Sequence, residues 1–175
     1  MSRAVSSSPA LPIVYVVLRI LVVVMWIAAA MLLALLLATP YEQWIMRAFK
    51  LSPGPDADRL IMGMRFIVLL GLASIPINYL VLKRLLAIVE TVRTGDPFVA
   101  ANAARLHTIA WSLLALQLLS MAIGAIGDSV STPAHPVNLD AGFSVNGWLA
   151  VLLTFLLARV FAEGTMMRDE LEGTV

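Results

Sequence analysis

Four long apolar runs divide the chain, and the polar stretches between them set its organisation. Ile20 to Ala38 is 19 apolar residues without a break. As a helix rising 1.5 Å per residue it reaches roughly 28 Å, the thickness of a bilayer core. Arg19 marks its near edge, where a long cationic side chain can reach headgroups. The first span is therefore expected over residues 13–38, and its length exceeds that of a signal-peptide core, so it is read as retained. A second span is expected over 60–82, with Arg65 about one turn inside its start and Pro76 and Asn78 nearer its other end. Pro76 should kink that helix, and Asn78 can answer a freed carbonyl or bond a neighbouring span. A third span, 107–127, carries Trp111 near one end and Gln117 at mid-span, with His107 at its boundary. A fourth, 143–162, has Trp148 near its start.

The segment between the second and third spans remains helical in pattern. Leu82, Leu85, Leu86, Val89 and Val92 recur on one face, with Lys83, Arg84, Glu90 and Arg93 on the other. Gly95 stands where a helix ends in the left-handed region. Asp96 then reads as an N-cap and Pro97 as the first residue of the next helix, which continues through Asn102 and Arg105. A helical hairpin over 83–106 follows. Its stripe of Leu85, Leu86, Val89 and Val92 is expected to pack against Phe98, Ala101 and Leu106.

Two further segments have their own pattern. Thr39, Pro40 and Glu42 form a capping-box start, after which Tyr41, Trp44, Ile45, Ala48 and Phe49 share a face, predicting an amphipathic helix in the membrane interface. The tail, 163–175, begins beside an Arg159–Glu163 pair at helical spacing and ends in the acids Asp169, Glu170 and Glu172. Phe161 and Met166 are expected to bring this tail against the hairpin. The fold class is thus all-α integral membrane: four transmembrane helices in one membrane domain, residues 1–175, with a hairpin between spans 2 and 3 and an interfacial helix after span 1.

Composition sharpens this picture. Apolar residues make up 61% of the chain and charged residues 13%, about half the share of a soluble domain. So much apolar surface must face lipid or other spans, which makes membrane lipids the first expected partner. A net charge of +1 gives no basis for direct nucleic-acid binding. The absence of cysteine excludes disulfides, thiolate catalysis and cysteine-ligated metals. His107 and His135 lie far apart in sequence, and no phosphate loop, metal spacing or nucleophile–base arrangement is present. A non-enzymatic chain without a cofactor is expected.

Basic residues set the orientation. With four spans, the N-terminus, hairpin and C-terminus share one side, which holds Arg3, Arg19, Lys83, Arg84, Arg93, Arg105, Arg159 and Arg168. The opposite side holds Arg47, Lys50, Arg59 and Arg65. The positive-inside rule places both termini and the hairpin in the cytoplasm.

The stretches GDPFVAANAARLHTIAW and LARVFAEGTMMRDELEGTV resemble the bacterial membrane proteins catalogued as domain of unknown function 2975, over most of the chain. That resemblance implies a four-span protein of the bacterial inner membrane. It also implies a setting beside small helix-turn-helix regulators of the Cro type, and brings no known reaction. The expected role is a membrane regulatory or interaction protein that sequesters such a DNA-binding regulator. The candidate partner-binding residues are Asp96, Phe98, Asn102 and Arg105 on the hairpin, with Asp169, Glu170 and Glu172 on the tail. Two other roles are open at this point. One is a small-solute transporter or channel component, working as a homo-oligomer, with Asn78, Gln117 and Arg65 as intramembrane polar groups. The other is a structural membrane protein.

Overall fold

Each apolar run closes its own backbone hydrogen bonds as a helix, the only open-chain solution inside hydrocarbon. The computed structural model describes residues 10–38, 54–132, 136–137 and 139–173, with the side chains of residues 10, 56, 169 and 171–173 outside the description. It contains α1 (Ala10–Ala38), α2 (Pro55–Arg93), α3 (Ala100–Val130) and α4 (Val145–Gly173). Each is long and apolar enough to cross a membrane, so the chain is a multi-pass membrane protein. The amphipathic helix expected from Thr39 to Lys50 lies outside the described residues.

At 39 residues, α2 is roughly 58 Å long, nearly twice a hydrocarbon core. It therefore serves both as the second span and as one arm of the hairpin, without a break. Pro55 opens it, where a missing N–H removes no helical bond. Pro76 sits inside it. Ser74 Oγ donates to the Gly71 carbonyl at 2.7 Å, and Asn78 Nδ2 donates to the Ser74 carbonyl at 3.0 Å. Asn78 thus bonds within its own helix, and among the described residues it neither bridges to another span nor answers the Leu72 carbonyl that Pro76 leaves free.

The turn at the hairpin tip is a Schellman motif. Asp96 N–H donates to the Thr91 carbonyl at 3.0 Å and Gly95 N–H to the Val92 carbonyl at 3.2 Å, with Gly95 at φ 88°. The next helix starts later than its cap residues suggest. Residues 96–99 are not helical, and α3 begins at Ala100 with Val99 as an extended, side-chain-free cap. Asp96 does not cap it, because its carboxylate is engaged by Arg168 of α4.

Each helix packs against its neighbour in sequence: α1 on α2, α2 on α3, α3 on α4. The buried core is correspondingly thin. Leu106 and Ile109 of α3 meet Ala158 of α4, with Val81, Leu85 and Ile88 of α2 and Phe161 of α4 around them. Most of α1 presents bare aliphatic surface, Met31 being 69% exposed. In a bilayer that surface meets acyl chains, which match it without the cost it would carry in water.

One end of the molecule gathers the start of α1, the hairpin tip and the end of α4. Arg93 of α2 lies 5.3 Å from the centre of the Tyr15 ring of α1, and Arg19 lies 5.4 Å from the same ring. Further along, Trp26 meets Tyr79, and Leu32 approaches Gly71. Between α2 and α3, Thr91 meets Asn102 at one end and Gly63 meets Val130 at the other. The α3–α4 pairing is set differently. His107 and Phe155 stand edge to face at 5.8 Å, so the expected start of the third span lies beside the middle of the expected fourth. Residues 107–127 and 143–162 are therefore offset by about two helical turns.

Candidate interaction surface at the hairpin

The hairpin is fastened from within by one polar side chain. Asn102, with 0% exposure, donates through Nδ2 to Thr91 Oγ1 at 2.7 Å and to the Pro97 carbonyl at 2.8 Å. Its Oδ1 accepts from Arg105 Nη1 at 2.7 Å, and the same nitrogen donates to the Ala87 carbonyl at 3.1 Å. Thr91 in turn donates to the Ile88 carbonyl at 2.7 Å. A buried amide is tolerable only with such full pairing, and here the pairing joins both arms to the turn. Asn102 thus faces inward and holds the hairpin together, with the half-buried Arg105 bonded to it.

The tail of α4 closes over the tip. The rings of Phe98 and Phe161 lie 5.3 Å apart at 33°. Gly164 leaves room for this contact, since a Cβ there would stand 3.3 Å from Phe98 Cδ1. Beyond it, Arg168 pairs with Asp96, each side chain 44% exposed. An aromatic contact and an ion pair, from residues far apart in sequence, make the hairpin and tail one body. The expected Phe98–Phe161 packing is present. The Arg159–Glu163 pair forms at 3.0 Å on an exposed face, where such pairs contribute little.

Large apolar side chains stand exposed on this body among its charged ones. Phe98 remains 44% exposed, and Met166 and Met167 are 58% and 61% exposed. Methionine pairs are unbranched and polarizable, suited to contacts with irregular partner surfaces. Met166, expected to pack with Phe161 against the hairpin, is instead turned outward, and Met167 is the surface residue that sequence reasoning passed over, although two adjacent methionines ahead of Arg168 and Asp169 were the signal available. Glu170 is exposed on the same helix. The side chains of Asp169 and Glu172 lie outside the described residues.

The three intramembrane polar candidates are not all brought together. Arg65 and Asn78 are both on α2, roughly 20 Å apart along it. Gln117 is buried, and its Nε2 lies 3.4 Å from the Gly142 carbonyl. No group of three or more histidines or acids could hold a metal among the described residues. His107 forms a three-ring cluster with Trp111 and Phe155, at 6.3 and 5.8 Å, beside an alanine-floored groove of about 590 Å³ between α3 and α4. Compared with known proteins, the chain matches no family model, no curated protein and no solved structure.

Proposed function

We propose that the chain is a regulatory protein of the bacterial cytoplasmic membrane that binds a small soluble partner on its clasped hairpin and tail. The observation that carries this reading is the body formed by Asn102, Phe98–Phe161 and Asp96–Arg168, which is rigid by construction yet exposes Phe98, Met166 and Met167. Aromatic and methionine side chains on an ordered frame are what an interface core requires, because little ordering entropy remains to be lost on binding. Basic residues cluster at this end, with Lys83, Arg84, Arg93, Arg105, Arg159 and Arg168 all near it, which favours the cytoplasmic face. The partner class, a small helix-turn-helix regulator, is the one that the resemblance to domain of unknown function 2975 suggests. Holding such a protein at the membrane withholds it from its operator.

The test reconstitutes the full chain in vesicles with the regulator and measures how much regulator stays on operator DNA. Wild-type vesicles should lower the DNA-bound fraction, and a Phe98→Ala, Met166→Ala, Met167→Ala triple variant should not. If wild-type vesicles leave the regulator on its DNA, sequestration is wrong.

A further inference from the structure

Residues 139–144, just ahead of α4, are not helical although they run beside α3. Gln117 and Pro76 stand equally far along their helices from the Asn102–Thr91 contact, so they share a level. On α1 that level falls between Trp26 and Leu32, which face Tyr79 and Gly71. It is the middle of the unbroken apolar run from Ile20 to Ala38. A Cβ on Gly147 would lie 2.0 Å from Gln117 Oε1, so α4, which begins at Val145, starts at that depth. The segment before it, 139–144, continues alongside the remainder of α3 without helical bonds. Leu139 packs over Gly127, and Ala141 and Gly142 lie against Gly124.

Non-helical backbone at such depth must satisfy its polar groups from protein or water. Gly142 does so from α3: its N–H donates to Ser120 Oγ at 3.2 Å and its carbonyl faces Gln117 Nε2 at 3.4 Å. The backbone N–H and C=O groups of Leu139, Asp140, Ala141 and Phe143 take no partner among the described residues. Two adjoining clefts run beside them, each of about 400 Å³. One is lined by Gly124, Asp128 and Asp140, the other by Gln117, Ser120, Asp140 and Ser144. Each has room for several waters at about 30 Å³ apiece, with hydroxyl, amide and carboxylate groups to hold them.

We propose that residues 139–144 and the outer half of α3 enclose an aqueous cleft, open on the side of the α3–α4 connection, that admits water and small polar solutes to the level of Gln117 and Ser120. The lipid-facing side of α3 at the same depth is dry. Leu118, 53% exposed and one residue from Gln117, marks that face.

Because the chain has no cysteine, single thiols report access directly. Ser120→Cys, Ser144→Cys, Asp140→Cys and Leu118→Cys are made in the full-length protein in sealed vesicles, and a membrane-impermeant maleimide is added to each side in turn. Asp140→Cys, at the mouth, and Ser120→Cys and Ser144→Cys, deep in the cleft, should all be labelled from the connection side. Leu118→Cys should be unlabelled from either side. Ser144→Cys keeps the test decisive should loss of the Ser120 hydroxyl disturb the segment. Labelling of Asp140→Cys with neither deep thiol would show a shallow loop and overturn the cleft. Labelling of Leu118→Cys as fast as Ser120→Cys would overturn it too.

Discussion

Arg168 reaches back to Asp96 across 72 residues of sequence and ties the end of the fourth helix to the turn between the second and third. With Phe161 packed on Phe98 about two turns earlier, the pair converts a hairpin tip into part of a three-helix body.

The aromatic contact should be measurable as a coupling. A double-mutant cycle with Phe98→Ala and Phe161→Ala, followed by unfolding of the detergent-solubilised protein, should give about 0.5–1.5 kcal/mol of interaction. Additive single effects would show that the rings do not support one another.

Asn102 carries the larger stake. Asn102→Leu leaves the Pro97 carbonyl, Thr91 hydroxyl and Arg105 guanidinium without their shared partner, and should cost about 2–4 kcal/mol. Thr91→Val removes one partner only and should cost about 1 kcal/mol. Equal unfolding midpoints for Asn102→Leu and wild type would mean that the buried network contributes nothing.

Gly124 and Gly54 make a matched pair. A Cβ at Gly124 would meet the Ala141 carbonyl oxygen and Gly142 Cα at 2.8 Å, whereas at Gly54 nothing lies within 4 Å. Backbone cannot swing aside as a side chain can, so Gly124→Ala should destabilise by about 1–3 kcal/mol and lift 141–142 off α3. Gly54→Ala should fall within about 0.5 kcal/mol of wild type. Similar melting curves for the two variants would contradict the close approach.

Gly164 tests the clasp sterically. Gly164→Leu must push Phe98 from its place beside the α4 tail, and limited proteolysis should then cut the tail after Phe161 faster than in wild type. Gly164→Ala, whose added methyl needs only a few tenths of an ångström from the Phe98 ring, should keep the tail protected because better helix propensity offsets the strain. Unchanged protection in Gly164→Leu would place Phe98 elsewhere.

Local chemistry was readable from the residues themselves. The 3.6-residue stripe from Leu82 to Val92 continued as one helix with the second span, and Gly95 adopted the positive φ that its position required. Asp96 and Pro97 misled for a reason no local pattern contains: the acid that looks like a cap is claimed by Arg168 from the other end of the chain. Asn102 looked like a surface recognition group because a polar residue's burial depends on what folds over it. The depth of α4 was hidden similarly. Leu139 to Gly142 has the composition of a solvated loop, and only the glycines opposite, Gly124 and Gly127, allow it to press into α3.

Among the described residues the helices pack by sequence neighbours alone, and this bears on how the protein is made. Tyr15, Trp26 and Leu32 find their α2 partners as soon as α2 emerges, and the α2–α3 and α3–α4 contacts follow in turn. No helix must wait for a distant partner, so the order of synthesis is also the order of assembly. The last event is the arrival of Arg168 at Asp96, and the finished body at the hairpin is thereby a sign that translation has reached the end of α4.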